Sequence, residues 1–157
     1  CHVWMRNSDL LKFHSVATKS AAHEASTTGM FMTHQKGTTI HYAAGEGETR
    51  PWGTWTVIDV GENFIVKRIV VNPGGRLSLQ FHHHRSESWV VASGMAKVTI
   101  GESVTHLPAH GTAHIPVKAV HRLENPGPEP LVIIEIQLGD RLDEGDIVRL
   151  EDDYERG

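Results

Sequence analysis

Several features that would point to particular classes of protein are scarce or missing in this 157-residue chain. One cysteine, Cys1, rules out both an internal disulfide and a zinc site built from several thiolates. A formal net charge of −4, with no long basic stretch, gives no reason to expect a nucleic-acid partner. No apolar run approaches the roughly 18 residues that span a bilayer, and no secretory signal is recognisable. These absences favour a cytoplasmic enzyme or binding protein without a membrane partner.

The chain has two parts that differ in residue pattern. Residues 1–45 carry little pattern beyond a possible short helix over Ser8–Lys19, and we interpret them as a poorly defined N-terminal extension or linker. The start at Cys1 in place of Met indicates a fragment or a processed form. From residue 46 to 157, short β-branched or apolar runs alternate with turn residues about every ten positions. No helical pattern lies between them, so we predict an all-β antiparallel barrel or jelly roll.

Histidine is the unusual residue, with 12 copies against 15 lysines and arginines, and three of them cluster at positions 82–84. Side chains two apart on a strand share a face. A strand from Arg76 to His84 therefore has one apolar face, and its other face carries the polar residues Arg76, Ser78, Gln80, His82 and His84. That polar face can point to solvent, but its metal-binding side chains, followed by Glu87, favour a lined cavity.

The spacing of these residues resembles the two motifs of the cupin family. Gly74, Gln80, His82, Glu87 and Gly94 follow the first motif, with Gln80 in the place of its first histidine. The segment 116–125 resembles the second motif, with His121 as ligand and Lys118 where a glycine is usual. The cupin (double-stranded β-helix) fold is therefore expected. The predicted metal ligands are Gln80, His82, Glu87 and His121, although His84 can replace His82 in a shifted register.

This nitrogen and oxygen ligand set suits a divalent ion, with Zn as first choice and Mn, Co, Fe or Ni as alternatives. Fewer than six protein ligands leave open positions for water or substrate, as a catalytic site requires. Substituting His83 should leave the metal in place, because His83 is expected on the opposite face of the strand.

A longer resemblance covers residues 50–157, which look like the type II mannose-6-phosphate isomerase family, a cupin often fused behind mannose-1-phosphate guanylyltransferase. The match is carried by the segments Arg50–Gly53, Val66–Ile69, Pro73–Gln80, His82–Glu87, Trp89–Val91, His121–Gly127 and Asp146–Arg149. No glycine-rich nucleotide-binding stretch of the fused enzyme is present. The resemblance implies a metal-dependent aldose–ketose isomerase that interconverts mannose 6-phosphate and fructose 6-phosphate in nucleotide-sugar biosynthesis.

Such a reaction requires a base beside the metal and cations for the phosphate. Glu135 and His84 are the candidate bases. Glu135 and Gln137 share a face and bracket the cavity if that face is inward, but a solvent-facing position is an equal alternative. The candidate substrate-binding residues are Arg76 first, then Lys67 (or Arg68, since alternation turns one of them inward), with Gln137 and Ser78. We expect Arg85 and Arg122 to point away, and Trp52 and Trp89 to be core residues.

Two other functions fit the same motifs. One is a different metal cupin, such as an iron or nickel dioxygenase, against which the glutamine ligand argues. The other is a sugar-binding cupin without turnover, in which Arg76 and His84 would bind a phosphorylated sugar. A homodimer is expected in each case, because cupins frequently pair through sheet edges.

Overall fold

The computed structural model describes residues 42–154 of the chain, and the predicted helix over Ser8–Lys19 lies outside them. Within that range, eleven β-strands and one short 3₁₀ turn follow in order. The strands are β1 (Gly47–Arg50), β2 (Gly53–Gly61), β3 (Phe64–Val71), β4 (Leu79–His82), β5 (Arg85–Ser93), β6 (Met95–Ile100), β7 (Ser103–Pro108), β8 (Thr112–Ile115), β9 (His121–Glu124), β10 (Leu131–Gly139) and β11 (Ile147–Glu151), and the turn is Glu144–Asp146.

The strands form two antiparallel sheets that face each other. The six-stranded sheet has the order β1-β2-β3-β10-β5-β8, and the five-stranded sheet has the order β11-β4-β9-β6-β7. Strands that follow one another in the sequence are therefore often not adjacent in a sheet, which is typical of a jelly roll. The prediction of an all-β cupin barrel is confirmed. No helix in the described part of the chain is long and apolar enough to cross a membrane.

The interior changes character along the strands of the six-stranded sheet. On β3, β10 and β5, alternate residues point inward, as the twofold side-chain period requires. At one end these inward residues are apolar and build the core around Ile69, Val91 and Ile133. At the other end most of them are polar and buried, namely Lys67, Arg85, Glu87, Glu135 and Gln137, although Ile65 beyond Lys67 packs in a second, smaller apolar cluster with Val57 and Leu142. Burying charged groups is costly unless they are compensated, so this polar end is the candidate ligand site.

The predicted strand over Arg76–His84 is longer than the one that forms. Only Leu79–His82 is strand, and Arg76 joins the sheet through one isolated bridge to Glu124. The Asn72–Gly75 turn is tied to Asn125, because Gly74 N–H donates to its carbonyl and Asn125 N–H donates to Gly75. These bonds hold the first part of the segment outside the regular ladder, so Leu77 and Ser78 both face the interior.

The turn before β9 explains how a lysine replaces the usual glycine. Lys118 has a φ of 67°, the left-handed conformation that glycine adopts most easily. Its N–H donates to the carbonyl of His82 at 2.8 Å, which fixes this turn against β4. The turn is therefore kept despite the substitution, at a backbone cost of about 1–2 kcal/mol.

Candidate metal centre and cavity

A cavity of about 550 Å³, counting the part open to solvent, occupies the polar end of the barrel. Both sheets and the 3₁₀ turn supply its walls. The lining residues are Arg50, Trp52, Trp55, Lys67, Ile69, Leu77, Ser78, Gln80, Arg85, Glu87, Glu135, Gln137, Glu144, Ile147 and Arg149. Four cations and three carboxylates thus share one partly enclosed space.

Next to this cavity, with Glu87 in its wall, His82, Glu87 and His121 bring one ligand atom each to within 4.8 Å of one another. His82 Nε2 lies 3.0 Å from Glu87 Oε1, and His121 Nε2 lies 3.6 Å from Glu87 Oε2. All three side chains are almost completely buried. Neither imidazole Nε2 atom makes a hydrogen bond of acceptable geometry. Three buried donor atoms that converge without bonding one another fit a metal ion, because the ion satisfies all three.

The orientation of His121 supports this interpretation. Its Nδ1 lies 2.9 Å from the carbonyl oxygen of Ala119, so Nδ1–H donates there and the Nε2 lone pair points into the cluster. Burial lowers the pKa of His121, against the opposing charge of Glu87, and a metal-binding imidazole must be neutral.

Gln80 lies next to this cluster on β4, opposite His121 in the sheet register. It lines the cavity, and its Oε1 accepts a hydrogen bond from Ser78 Oγ at 2.8 Å. The neighbouring Ser78 is buried and lines the same wall. The roles of Gln80 as a fourth metal ligand and of Ser78 in substrate binding therefore stay predictions. Both residues do line the cavity.

Glu135 lies beside the cluster and shares two hydrogen-bond donors with Glu87. Trp89 Nε1 lies 3.1 Å from Glu87 Oε2 and 3.2 Å from Glu135 Oε1. Gln137 Nε2 lies 3.3 Å from Glu87 Oε1 and 2.9 Å from Glu135 Oε2. The two carboxylates are thus clamped side by side. The face carrying Glu135 and Gln137 is inward, and Trp89 belongs to the core but also serves the site through its indole N–H.

The two clamped carboxyl groups have different electrostatic surroundings. Burial and the charge of Glu87 raise the pKa of Glu135 to about 8, although Lys67 and Arg85 oppose this. Burial would also raise the pKa of Glu87, but the close contact with His82 and the charges of Arg85 and His121 hold it well below its usual range. Of the pair, Glu87 is therefore the permanent anion.

Lys67 is the inward residue at position 67–68 of β3, while Arg68 is exposed. The Lys67 ammonium lies 4.2 Å from the ring centre of Tyr42 and 4.7 Å from that of Trp55. Burial lowers its pKa, and the charges of Glu135 and Glu144 act in the opposite direction. Trp52, expected in the core, belongs to the core cluster and also lines the cavity.

Asp146 fixes the turn between β4 and β5, the strands that carry His82 and Glu87. It is completely buried and accepts hydrogen bonds from His83 N at 3.1 Å and His84 N at 3.3 Å. His84 Nδ1 lies 2.7 Å from the same carboxylate. The His84 side chain is 45% exposed and does not line the cavity. The structure therefore places this candidate base at the turn surface, where Asp146 holds its ring.

Two arginines also differ from expectation. Arg85, expected to point away, is buried in the cavity wall, with Nε 3.3 Å from Glu87 Oε1 and Nη1 donating to the Asp143 carbonyl at 3.1 Å. Arg76, the first choice for phosphate, makes a two-pronged contact with Asp153 and is not a lining residue. The reason is the irregular segment before β4, which removes Arg76 from the inward face. Arg122 pairs with Glu151 outside the lining, as expected.

Sequence reasoning missed four residues of the site: Arg50, Trp55, Glu144 and Arg149. A signal existed for two of them, since Arg50 and Arg149 lie in segments that carry the family resemblance, but no role followed from the strand pattern. Tyr42 was also missed, because it lies in the segment interpreted as a linker.

A two-sheet barrel with a converging His-Glu-His cluster beside a polar cavity defines a cupin with a site suited to a metal ion. Solved structures with this fold include oxalate decarboxylase from Bacillus subtilis (26% identity, TM-score 0.59, covering 67% of this chain and 30% of that one). The Cnp3 cupin domain of Schizosaccharomyces pombe shares the fold at 15% identity (TM-score 0.53, covering 55% and 64%).

Residues 35–152 match the family model described as mannose-6-phosphate isomerase, C-terminal, and the chain belongs to that family. Similar curated proteins include the xanthan biosynthesis protein XanB of Xanthomonas campestris (55% identity; 68% of this chain, 23% of the relative). Others are the alginate biosynthesis protein AlgA of Pseudomonas aeruginosa (50%; 73% and 25%) and the mannose-1-phosphate guanylyltransferase ManC of Salmonella typhimurium (52%; 68% and 22%). The match thus spans about a quarter of each relative.

Proposed function

We propose that this domain is a metal-dependent aldose–ketose isomerase that interconverts mannose 6-phosphate and fructose 6-phosphate. The observation that carries the proposal is the buried convergence of His82, Glu87 and His121, next to a cavity whose wall includes Glu87, Glu135 and several cations. Family membership supports the choice of substrate. The site has the three parts that the reaction needs: a place for a Lewis acid, a proton carrier and positive charge for a phosphate.

His82, Glu87 and His121 would hold the ion, with Gln80 as the proposed fourth ligand. The donor set admits Zn²⁺ first and Mn²⁺, Co²⁺, Fe²⁺ or Ni²⁺ as alternatives. When bound, the ion supplies Lewis-acid polarisation of the sugar carbonyl and stabilises the negative oxygen that develops on it.

Glu135 is the proposed proton carrier between C2 and C1 of the sugar. In its deprotonated form, Glu135 removes the proton from C2 of the open-chain aldose, which leaves an enediolate with its charge on O1. Transfer of the O2 hydroxyl proton to O1 and return of the carried proton to C1 then give the ketose, with its carbonyl at C2. Trp89 and Gln137 hold the two oxygens of Glu135, so the carboxylate stays aimed at one place throughout the transfer. Glu87 remains an anion beside it and is occupied as a ligand, so the two carboxylates do not exchange roles.

The test is a chelation and reloading assay on the full chain. The metal content of the purified protein is measured by mass spectrometry, and isomerisation of mannose 6-phosphate is followed before chelation, after it and after addition of each divalent ion. Turnover that chelation abolishes and an ion restores is expected. A metal-loaded protein that consumes oxygen without isomerising the sugar would assign it to the dioxygenase cupins. Sugar-phosphate binding without turnover would make it a binding protein.

Ligand variants sharpen the test. His121→Ala is expected to lose the metal and the turnover together, since one of three converging donors is removed. His83→Ala is the matched control, because this neighbouring histidine is exposed and lies outside the cluster. If His83→Ala released the metal as readily as His121→Ala, the ligand assignment would be wrong.

We also propose that the domain forms a homodimer through a sheet edge. β7 is the last strand of its sheet, is exposed along most of its length and carries an exposed Val104. An unpaired strand edge is a surface on which a second copy can add. Light scattering on the purified chain should give the dimer mass, and a Val104→Lys variant should give the monomer mass.

A further inference from the structure

Two cations of the cavity, Lys67 and Arg149, lie on other strands than the proposed metal ligands, whereas Arg85 contacts Glu87 directly. Glu87 lies on β5, Glu135 on β10 and Lys67 on β3, which are consecutive neighbours in the six-stranded sheet. At a strand spacing of about 4.8 Å, the backbone of Lys67 is roughly 10 Å from that of β5. In the other sheet, Arg149 on β11 pairs with Gln80 on β4. The cavity therefore has a metal-ligand end and a cationic end, one or two strands apart.

Lys67 is a buried cation without a direct anionic partner among residues 42–154. It is 5% exposed, and none of the hydrogen bonds or ion pairs in this part of the chain involves its ammonium group. Its close neighbours are the ring faces of Tyr42 and Trp55. Burying an ammonium group is costly unless a counter-charge compensates. The aromatic faces and the nearby charges of Glu135 and Glu144 supply part of that compensation, and an anion bound in the cavity would add a direct partner.

Arg149 is only partly engaged. One guanidinium nitrogen, Nη2, contacts Glu144 Oε2 at 3.3 Å, which is long for a charge-assisted bond. Its Nε is buried without a partner. The Nε–Nη edge of a guanidinium matches two oxygens of a phosphate. Arg85, by contrast, contacts Glu87 through Nε and Asp143 through Nη1, and Arg50 is paired with Glu48 at 2.5 Å.

Glu144 connects the two under-used cations. The charges of both Lys67 and Arg149 contribute to lowering the pKa of the Glu144 carboxyl, against the effect of burial. Its side chain is half exposed, on the 3₁₀ turn at the cavity wall. One carboxylate balances the charge of only one of the two cations. A more highly charged anion is therefore attracted to this position.

We propose that Lys67 and Arg149 form a phosphate-binding subsite, and that Arg76 takes no part in it. The proposal rests on the proposed function, because it assigns the two ends of the cavity to the two ends of a hexose 6-phosphate. The reactive C1 and C2 face the His82, Glu87 and His121 end, and the phosphate faces the cationic end. The subsite then makes the cavity specific for phosphorylated over free sugars.

The test compares binding of mannose 6-phosphate and free mannose by calorimetry in the metal-loaded chain. Lys67→Met and Arg149→Met are each expected to weaken binding of mannose 6-phosphate about 10- to 100-fold, since each removes a charge-assisted bond. Binding of mannose should not change. Arg149→Lys, which keeps the charge, should restore part of the affinity and guards against a folding defect in Arg149→Met.

Two matched controls test the location. Arg68→Met removes the cation next to Lys67 on the outer face of β3, and Arg76→Met removes the cation paired with Asp153. Neither should alter the affinity for mannose 6-phosphate. Glu144→Gln removes a competing negative charge and should strengthen binding severalfold.

The subsite is overturned if the native chain does not prefer mannose 6-phosphate to mannose, if Lys67→Met and Arg149→Met bind like the native protein, or if Arg76→Met is the variant that loses affinity. Weakened binding in Glu144→Gln would also contradict it. Isomerase turnover is measured on the same samples. Tight, Lys67-dependent binding without turnover would refute the isomerase and leave the subsite standing.

Discussion

Removal of Asp146 tests how the C-terminal segment stabilises the turn between the proposed metal ligands His82 and Glu87. The carboxylate accepts the backbone N–H groups of His83 and His84, holds the His84 ring, and lies 3.8 Å from Arg85 Nη1. Asp146→Ala leaves these donors without their acceptor and Arg85 without part of its counter-charge. Loss of one partner from a buried charged network costs about 3–5 kcal/mol. We expect that loss in the free energy of unfolding.

Urea denaturation followed by tryptophan fluorescence measures this loss, and metal titration of the folded fraction measures the effect on the site. Asp146→Asn keeps one oxygen acceptor and is expected to lose about 2 kcal/mol. His84→Ala removes only the half-exposed ring contact, so a change within about 1 kcal/mol is expected. It should also leave turnover intact.

Asp140→Asn is the matched control, because this carboxylate is exposed and lies six residues before Asp146. The reasoning is refuted if Asp146→Ala loses less than about 1 kcal/mol and binds metal like the native chain. That result would show that the turn between β4 and β5 is held by its own strands.

Two further predictions concern the fold. Gly53→Ala should prevent stable folding, because φ is +147° there and a Cβ would lie 1.9 Å from the Val70 carbonyl oxygen. Gly101→Ala is the control, because a Cβ at that position meets open space. Thermal unfolding of both variants measures the difference. Tyr42→Phe should destabilise the chain at pH 7 but much less near pH 3. Burial raises the pKa of the Glu144 carboxyl, but the Tyr42 hydrogen bond and nearby cations more than offset this, so its pKa in the folded chain lies below the usual value. The stability that this bond contributes is therefore present above the pKa of the unfolded chain and is lost as the pH falls through the pKa of the folded chain. Equal destabilisation at both pH values would contradict this, as measured by melting curves of native and variant chains.

The fold was predictable because its signals are local. Alternation in β3, β5 and β10 turns one set of residues inward whatever the partner strand, so it puts either Lys67 or Arg68 inward and groups Glu135 with Gln137. Which of the two faces is inward was left open by the period and is given by the structure. The predicted grouping of His82, Glu87 and His121 is also found in the structure, because it depends on a short turn and on two paired strands. These are the parts of the site that sequence pattern predicts well.

The remaining parts depend on long-range contacts that no local pattern encodes. Arg76 fits the alternation, but the bonds between the Asn72–Gly75 turn and Asn125 break the strand before it. His84 fits the alternation too, but Asp146, 62 residues away, holds its ring at the turn. Arg149 enters the cavity only because β11 pairs with β4. Contacts between segments far apart in the chain therefore account for these three differences between the predicted site and the structure.

The most direct measurement of the central claim is a proton NMR time course of mannose 6-phosphate with the metal-loaded chain in D₂O. The account expects signals of fructose 6-phosphate to appear, with deuterium entering at C1 as the proton carrier exchanges with solvent. Glu135→Gln should abolish this conversion while its metal content stays at the native level. A fully metal-loaded native chain that leaves mannose 6-phosphate unchanged, or a Glu135→Gln variant that converts it at the native rate, would contradict the account.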